Sequence, residues 1–138
     1  MRHAADIVRD QKPLALPCSA SVRDACRAMR ERRVGAVLVV DGAGALSGIF
    51  TGRDAVCRVL AEGRDPATTA LADVMTRDPD AIGPGCGVVE LLRRMHDGGY
   101  RHMPVVEGGR VVGIVSRGDF RGLEHARLDE ETGLWERI

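Results

Sequence analysis

The feature that most constrains this chain is that it repeats itself. Ile49-Phe50-Thr51-Gly52-Arg53-Asp54 returns as Ile114-Val115-Ser116-Arg117-Gly118-Asp119, each segment preceded by a glycine, Gly48 or Gly113. Upstream, Val37-Leu38-Val39-Val40-Asp41 lines up with Met103-Pro104-Val105-Val106-Glu107. Further back, Val22, Ala25, Cys26 and Met29 match Val88, Leu91, Leu92 and Met95. Even the lead-ins agree, Ala5-Asp6-Ile7-Val8 with Ala72-Asp73-Val74-Met75. The two halves are therefore expected to adopt similar local structure. With 138 residues in all, neither half can bury a sheet alone, so the two are expected to share a core.

Each half reads as the same series of elements. A short extended piece ends near Leu16 and again near Ile82. Apolar residues at helical spacing then predict amphipathic helices over Ser21 to Arg33 and Gly87 to Asp97. Arg23, Arg27, Arg30 and Arg94 fall largely on the solvated side. Ala36–Val40 and Met103–Val106 are β-rich. Asp41-Gly42 and Gly108-Gly109 turn them into Leu46–Phe50 and Val111–Val115, giving two hairpins. A second helix is expected just after Thr51 and just after Ser116. Gly63-Arg64-Asp65-Pro66 closes the first unit. The prediction is an α/β fold of two β-α-β-β-α repeats related by a pseudo-twofold axis and packed through their sheets. The repeats would span residues 1–66 and 67–126, with a tail at 127–138.

Composition removes several classes of function. Lys+Arg and Asp+Glu are equal at 20 each, so no net positive field draws the chain to nucleic acid or an anionic membrane. Arg2, His3, Asp6, Arg9 and Asp10 interrupt any apolar leader, and Ala36 to Val40 is far too short to span a bilayer. The expectation is a cytoplasmic protein. Cys18, Cys26, Cys57 and Cys86 show no CxxC and no Cys–His ligand spacing, which fits reduced, partly buried thiols better than zinc. No nucleophile–base pair, Gly-rich phosphate loop or metal cluster stands out, so an enzyme is not expected and no metal is assigned.

The sharpest constellation is Thr51 with Asp54, repeated as Ser116 with Asp119. Two readings share one geometry. In the first, Ser/Thr-x-x-acid before a helix is a capping box, although Asp is shorter than the usual Glu or Gln. In the second, the helix start offers unpaired N–H groups to a phosphate. The hydroxyl then adds a donor, and the ionised aspartate accepts both vicinal hydroxyls of a ribose.

Paired units ending in Gly-hydrophobic-x-Ser/Thr-x-x-Asp, each after a Pro-Val-Val-like strand, resemble the tandem cystathionine-β-synthase (CBS) domain pair, or Bateman module, of stand-alone bacterial type. The second half fits best, through Gly99-Tyr100-Arg101-His102-Met103-Pro104-Val105-Val106 and Val111 to Asp119. The first half lacks the proline and the basic pair in Val34-Gly35-Ala36-Val37, yet Gly48 to Asp54 is complete.

The resemblance implies an adenine nucleotide between the repeats, with the aspartate on ribose and the Ser/Thr near phosphate. AMP, ADP, ATP, NAD and S-adenosylmethionine all lie in the family's range, as regulatory ligands rather than catalytic cofactors. It implies sites that cross repeats, Thr51 and Asp54 with Arg101, His102 and Pro104, and Ser116 and Asp119 with Val34, Gly35 and Ala36. The first site would then hold a polyphosphate better, since Arg101 and His102 supply charged donors. A solvated loop is the plain alternative for that basic pair. The family also implies a homodimer and an unidentified protein target, with a structural dimerisation adaptor as the competing function. Met29 and Met95 read as core packing. The tail from Leu128 to Ile138 holds the single tryptophan, Trp135, and its apolar end suggests docking on the body or on a partner subunit, with a frayed tail as the plain alternative.

Overall fold

The computed structural model describes residues 1–128. The expected docking of the tail therefore falls, beyond Leu128, outside the described residues. The chain forms two compact units, and these follow a different partition from the sequence repeats. One comprises Lys12–Asp80 with Gly108–Val111; the other comprises Met1–Gln11, Ala81–Glu107 and the chain from Val112 onward. The opening helix thus belongs with the second half.

The unit built on the first half is organised by a four-stranded sheet. Its strands β1 (Ala15–Leu16), β2 (Ala36–Val40), β3 (Leu46–Thr51) and β4 (Thr76–Arg77) lie in that order. β1 runs parallel to β2, with Leu16 opposite Val39. β2 and β3 form the expected hairpin, with Ala36 opposite Thr51, and β4 adds antiparallel along Gly48 and Ile49. The first helix of the unit covers Val22–Arg32. Ser21 Oγ caps it by accepting from Asp24 N at 3.0 Å, and Arg33 ends it in the left-handed region at φ 55°. Its apolar face of Val22, Ala25 and Met29 packs with Val37, Val39 and Phe50. Arg23, Arg27 and Arg30 are exposed, as the 3.6-residue period requires.

The second-half unit repeats this plan. The helix Val88–Gly98 buries Val88, Leu91, Leu92 and Met95 and closes at Gly99, φ 70°. The strands His102–Glu107 and Arg110–Ser116 form the second hairpin. Gly108 and Gly109 turn it, both with positive φ, 58° and 78°, the conformation a tight twisted hairpin demands. Ile82 lies parallel to Val105, as Leu16 does to Val39, through Ile82 N to Pro104 O at 3.0 Å and Val106 N to Ile82 O at 2.9 Å.

Each hairpin is closed by the lead-in helix that precedes the other repeat. Leu71–Val74 and Met75 lie over Gly48, where an added Cβ would stand 2.5 Å from Met75 Sδ. Ala4–Val8 lies over Gly113, where the same Cβ would stand 2.5 Å from Val8 Cβ. Only a residue without a side chain lets helix and strand approach so closely. In the first unit the outer edge of β3 is then paired by main chain, Ile49 with Thr76. In the second, a side chain substitutes for that strand. The Gln11 carboxamide donates to Ile114 O and accepts from Ile114 N, both at 2.9 Å.

The halves diverge after the Ser/Thr motif. Beyond Thr51 the chain is helical through Gly52–Asp54 and continues as a π-type turn over Ala55–Leu60. Beyond Ser116 there is only a 3₁₀ turn, Arg117–Asp119, before extended Phe120 (φ −85°, ψ 144°), and residues 122–128 form the helix instead. The expected helix therefore starts late. The cause is Phe120, whose ring turns into the core and meets His125 edge-on at 6.0 Å; small Ala55 at the matching position lets the helix run on. Among the described residues, no helix is long and apolar enough to cross a membrane.

Candidate functional site

Both Ser/Thr-x-x-Asp motifs sit where the last strand of a hairpin turns into a helical segment, and both close the turn through the aspartate, the first with every bond of the capping box. Thr51 N donates to Asp54 Oδ2 at 2.9 Å, Thr51 Oγ1 donates to the same oxygen at 3.1 Å, and Asp54 N returns a bond to Thr51 Oγ1 at 3.2 Å. Ser116 N and Oγ reach Asp119 Oδ2 at 2.7 and 3.2 Å. The short aspartate closes the box without difficulty, because the strand residue before the turn is extended and brings its N–H down to the carboxylate. One oxygen of each carboxylate is thus committed to the fold. The other is what remains for a ligand.

That second oxygen differs between the halves. Asp54 Oδ1 lies 3.6 Å from Arg58 Nε, one helical turn on, and the carboxylate is largely covered while the guanidinium is about half exposed. Arg58 also donates to Val74 O and Met75 O, at 3.2 and 3.0 Å, the last carbonyls of the helix over Gly48. Asp119 Oδ1 has no hydrogen-bond partner among the described residues. Its main-chain oxygen accepts from Arg2 Nη2 at 2.9 Å, and Arg2 is in turn gripped by Glu124 at 2.6 and 3.1 Å.

Each motif is flanked by the start of its own hairpin. In the first-half unit Ala36, buried, pairs with Thr51, and exposed Gly35 accepts from Gly52 N at 3.1 Å. Val34 before it is partly exposed. In the second-half unit Arg101 is exposed, and its carbonyl accepts from Arg117 N at 3.2 Å. Pro104 is buried on its strand. His102 is half-buried, and that burial holds its imidazole below the usual histidine range; Asp119 pulls the other way and Arg101 adds to the lowering. The structure therefore brings together Gly35, Ala36, Thr51 and Asp54 in one unit, and Arg101, His102, Ser116 and Asp119 in the other.

Sequence reading missed Arg58, Arg2, Glu124 and Gln11. Arg58 left a signal, since it stands four residues after Asp54, the spacing that brings opposite charges together on a helix. Arg2 and Glu124 are 122 residues apart, and nothing local marks such a pair. Burial pushes the thiols of Cys26 and Cys86 up, away from the nucleophilic thiolate.

This hairpin-and-helix unit, present twice and carrying Ser/Thr-x-x-Asp at the same turn, defines a tandem CBS module. The CBS domain family matches residues 4–60 and 71–125, and the chain belongs to it. It is 43% identical over 108 residues to CBS domain-containing protein CBSCBSPB3 of Arabidopsis thaliana, covering 78% of this chain but 19% of that protein. The chain thus spans about a fifth of the relatives it matches first. A protein with CBS domains from Burkholderia ambifaria superposes with a TM-score of 0.79 at 30% identity, over 85% of this chain and 89% of that one. The CBS domain protein PAE2072 of Pyrobaculum aerophilum, solved in complex with AMP, gives 0.81 at 21% identity over 94% and 99%; at that identity the likeness is one of fold.

Proposed function

We propose that this chain is a regulatory module that binds an adenine nucleotide through its two Ser/Thr-x-x-Asp turns, and that it is not itself an enzyme. The observation that carries the reading is that both turns hold an aspartate by one oxygen beside a strand-end hydroxyl, with a helix start at the first and a 3₁₀ turn at the second. That is a preformed acceptor for a sugar diol next to donors for phosphate. The AMP bound by the Pyrobaculum protein supports the same ligand class.

In this reading Thr51 and Asp54 act with Arg101, His102 and Pro104, and Ser116 and Asp119 with Val34, Gly35 and Ala36, in the cleft between the repeats. The module works as a cytoplasmic homodimer whose state a protein target reads. The competing reading, a dimerisation adaptor without ligand, is favoured by one observation: both turns are closed by their own hydrogen bonds, so a structural role alone accounts for them.

Thermal shift with AMP, ADP, ATP, NAD and S-adenosylmethionine separates the two. A ligand at about 100 times its Kd stabilises by about 2.7 kcal/mol, a rise of several degrees, and no rise with any compound favours the adaptor. Calorimetric titration of ATP then tests the asymmetry. Arg101→Ala is expected to weaken binding at the first site by about tenfold, the worth of one charge-assisted contact, and Asp119→Ala to leave that site unchanged. Equal losses in both variants defeat the asymmetric assignment.

A further inference from the structure

The second-half unit carries an open cleft of about 660 Å³ that the nucleotide reading does not use. It lies between the opening helix Ala4–Val8, the start of the helix at Val88 and the helical segment 122–128. Four arginines line it, Arg2, Arg9, Arg121 and Arg127, against two carboxylates, Asp6 and Glu124. Both carboxylates are already taken. Glu124 holds Arg2 at 2.6 Å and accepts from Arg121 N at 2.8 Å, and Asp6 holds Arg9 at 2.8 Å. Arg121 and Arg127 have no salt bridge among the described residues. Between the charges the lining is apolar, with Val88 and Val89 as floor and Leu123, 76% exposed, on the rim.

The geometry points to one occupant, the chain's own C-terminal segment, residues 129–138. The described chain ends at Leu128, immediately after Arg127 on the cleft wall. The segment opens with Asp129-Glu130-Glu131 and continues to Leu134-Trp135-Glu136, four carboxylates against the single Arg137. In sequence its acidic run follows directly on Arg127 and its apolar pair comes a few residues later, a charge and hydropathy order complementary to a cleft that offers Arg121, Arg127, Leu123 and two valines. Ten residues reach at most roughly 35 Å, ample for a cleft that begins at the attachment point. An anionic, leucine- and tryptophan-bearing segment seated here would press on Arg2, whose guanidinium also holds Asp119 O. Docking and the second Ser/Thr-x-x-Asp turn would then be linked through one side chain.

Trp135 is the only tryptophan and reports directly. In the full chain its emission is expected to be blue-shifted and protected from acrylamide, independently of protein concentration. Arg121→Glu with Arg127→Glu should raise the quenching constant about two- to threefold, as the loss of two partly exposed ion pairs would allow. Glu130→Arg with Glu131→Arg in that background should restore protection. Because a charge reversal could disturb the fold, the unsubstituted chain is also measured in about 1 M salt, where screening falls to about 3 Å; Trp135 should become more quenchable while far-UV circular dichroism stays constant. Equal quenching in the parent and the reversed variant overturns the proposal. So does protection that grows with protein concentration, which would assign the segment to a second copy.

Discussion

Two equivalent helices end in the same left-handed conformation, one at Arg33 (φ 55°) and the other at Gly99 (φ 70°). This gives an internally controlled test of what the backbone alone contributes. For an L-residue the left-handed well costs about 1–2 kcal/mol, and glycine returns roughly 0.5–1 kcal/mol of that through the freedom of the unfolded chain. Arg33→Gly is therefore expected to stabilise by about 0.5–1 kcal/mol. Arg33 is exposed, with no side-chain hydrogen bond or ion pair among the described residues, so nothing offsets the gain. Gly99→Ala is expected to destabilise by about 1 kcal/mol. A methyl there would meet nothing within 4 Å, so the cost is conformational and not steric. For a chain of this length about 1 kcal/mol corresponds to about 3–5 °C in Tm. Urea unfolding followed by circular dichroism reads both, with the slope m unchanged because neither variant alters buried surface. Should Arg33→Gly lower the midpoint, or Gly99→Ala leave it in place, the backbone argument fails.

Two more outcomes are expected in the second-half unit. Gln11→Leu removes both bonds to Ile114 and leaves a partly buried strand edge unpaired, so a loss of about 1–3 kcal/mol is expected; amide exchange at Ile114 should quicken with it, and an unchanged rate would mean that water serves the edge as well. Arg2 holds the Glu124 carboxyl below its ordinary value of 4.5, chiefly through the side-chain hydrogen bond. The unfolded chain then binds this proton more readily than the folded one. The contribution is complete above the ordinary value and disappears as pH falls through the lower folded value. Melting temperature against pH should drop less steeply in the acid range for Glu124→Gln than for the parent, and parallel curves would refute the assignment.

How far the sequence disclosed this structure depended on the range of each interaction. The hairpins, the helix at Val22–Arg32 and the solvated arginines all express local period and turn chemistry, and each lies within a residue or so of the reading. The shape of the Ser/Thr-x-x-Asp turns was equally local. What stayed hidden is long-range. That Val8 rests on Gly113, that Gln11 stands in for a strand, and that Arg2 grips Glu124 all join residues more than 100 positions apart. No periodicity encodes such pairs. The late start of the last helix escaped for a different reason: the motif alone favoured a helix, but the burial of Phe120 outweighed it.

The two readings of the Ser/Thr-x-x-Asp turn, cap or ligand site, need not compete, because the cap uses only one carboxylate oxygen. Through Oδ2 the aspartate fixes the turn, and a fixed turn is what keeps Oδ1 and the helix start in place for a ligand without further ordering cost. The difference at Oδ1 then supports unequal sites. At Asp54 a diol must share that oxygen with Arg58, but a pair at 3.6 Å with a half-exposed guanidinium is weak and readily opened,. Once released from Asp54, the same guanidinium stays tethered through Nη1 to Val74 O and Met75 O, neutral carbonyls that leave its charge unpaired. At Asp119 the neighbouring cation, Arg2, is bound to Glu124 and to the main chain, so it has little charge to offer a ligand. Under the proposed function, a preference of the first site for more highly phosphorylated nucleotides would therefore have a source within its own unit, independent of whether Arg101 and His102 reach it.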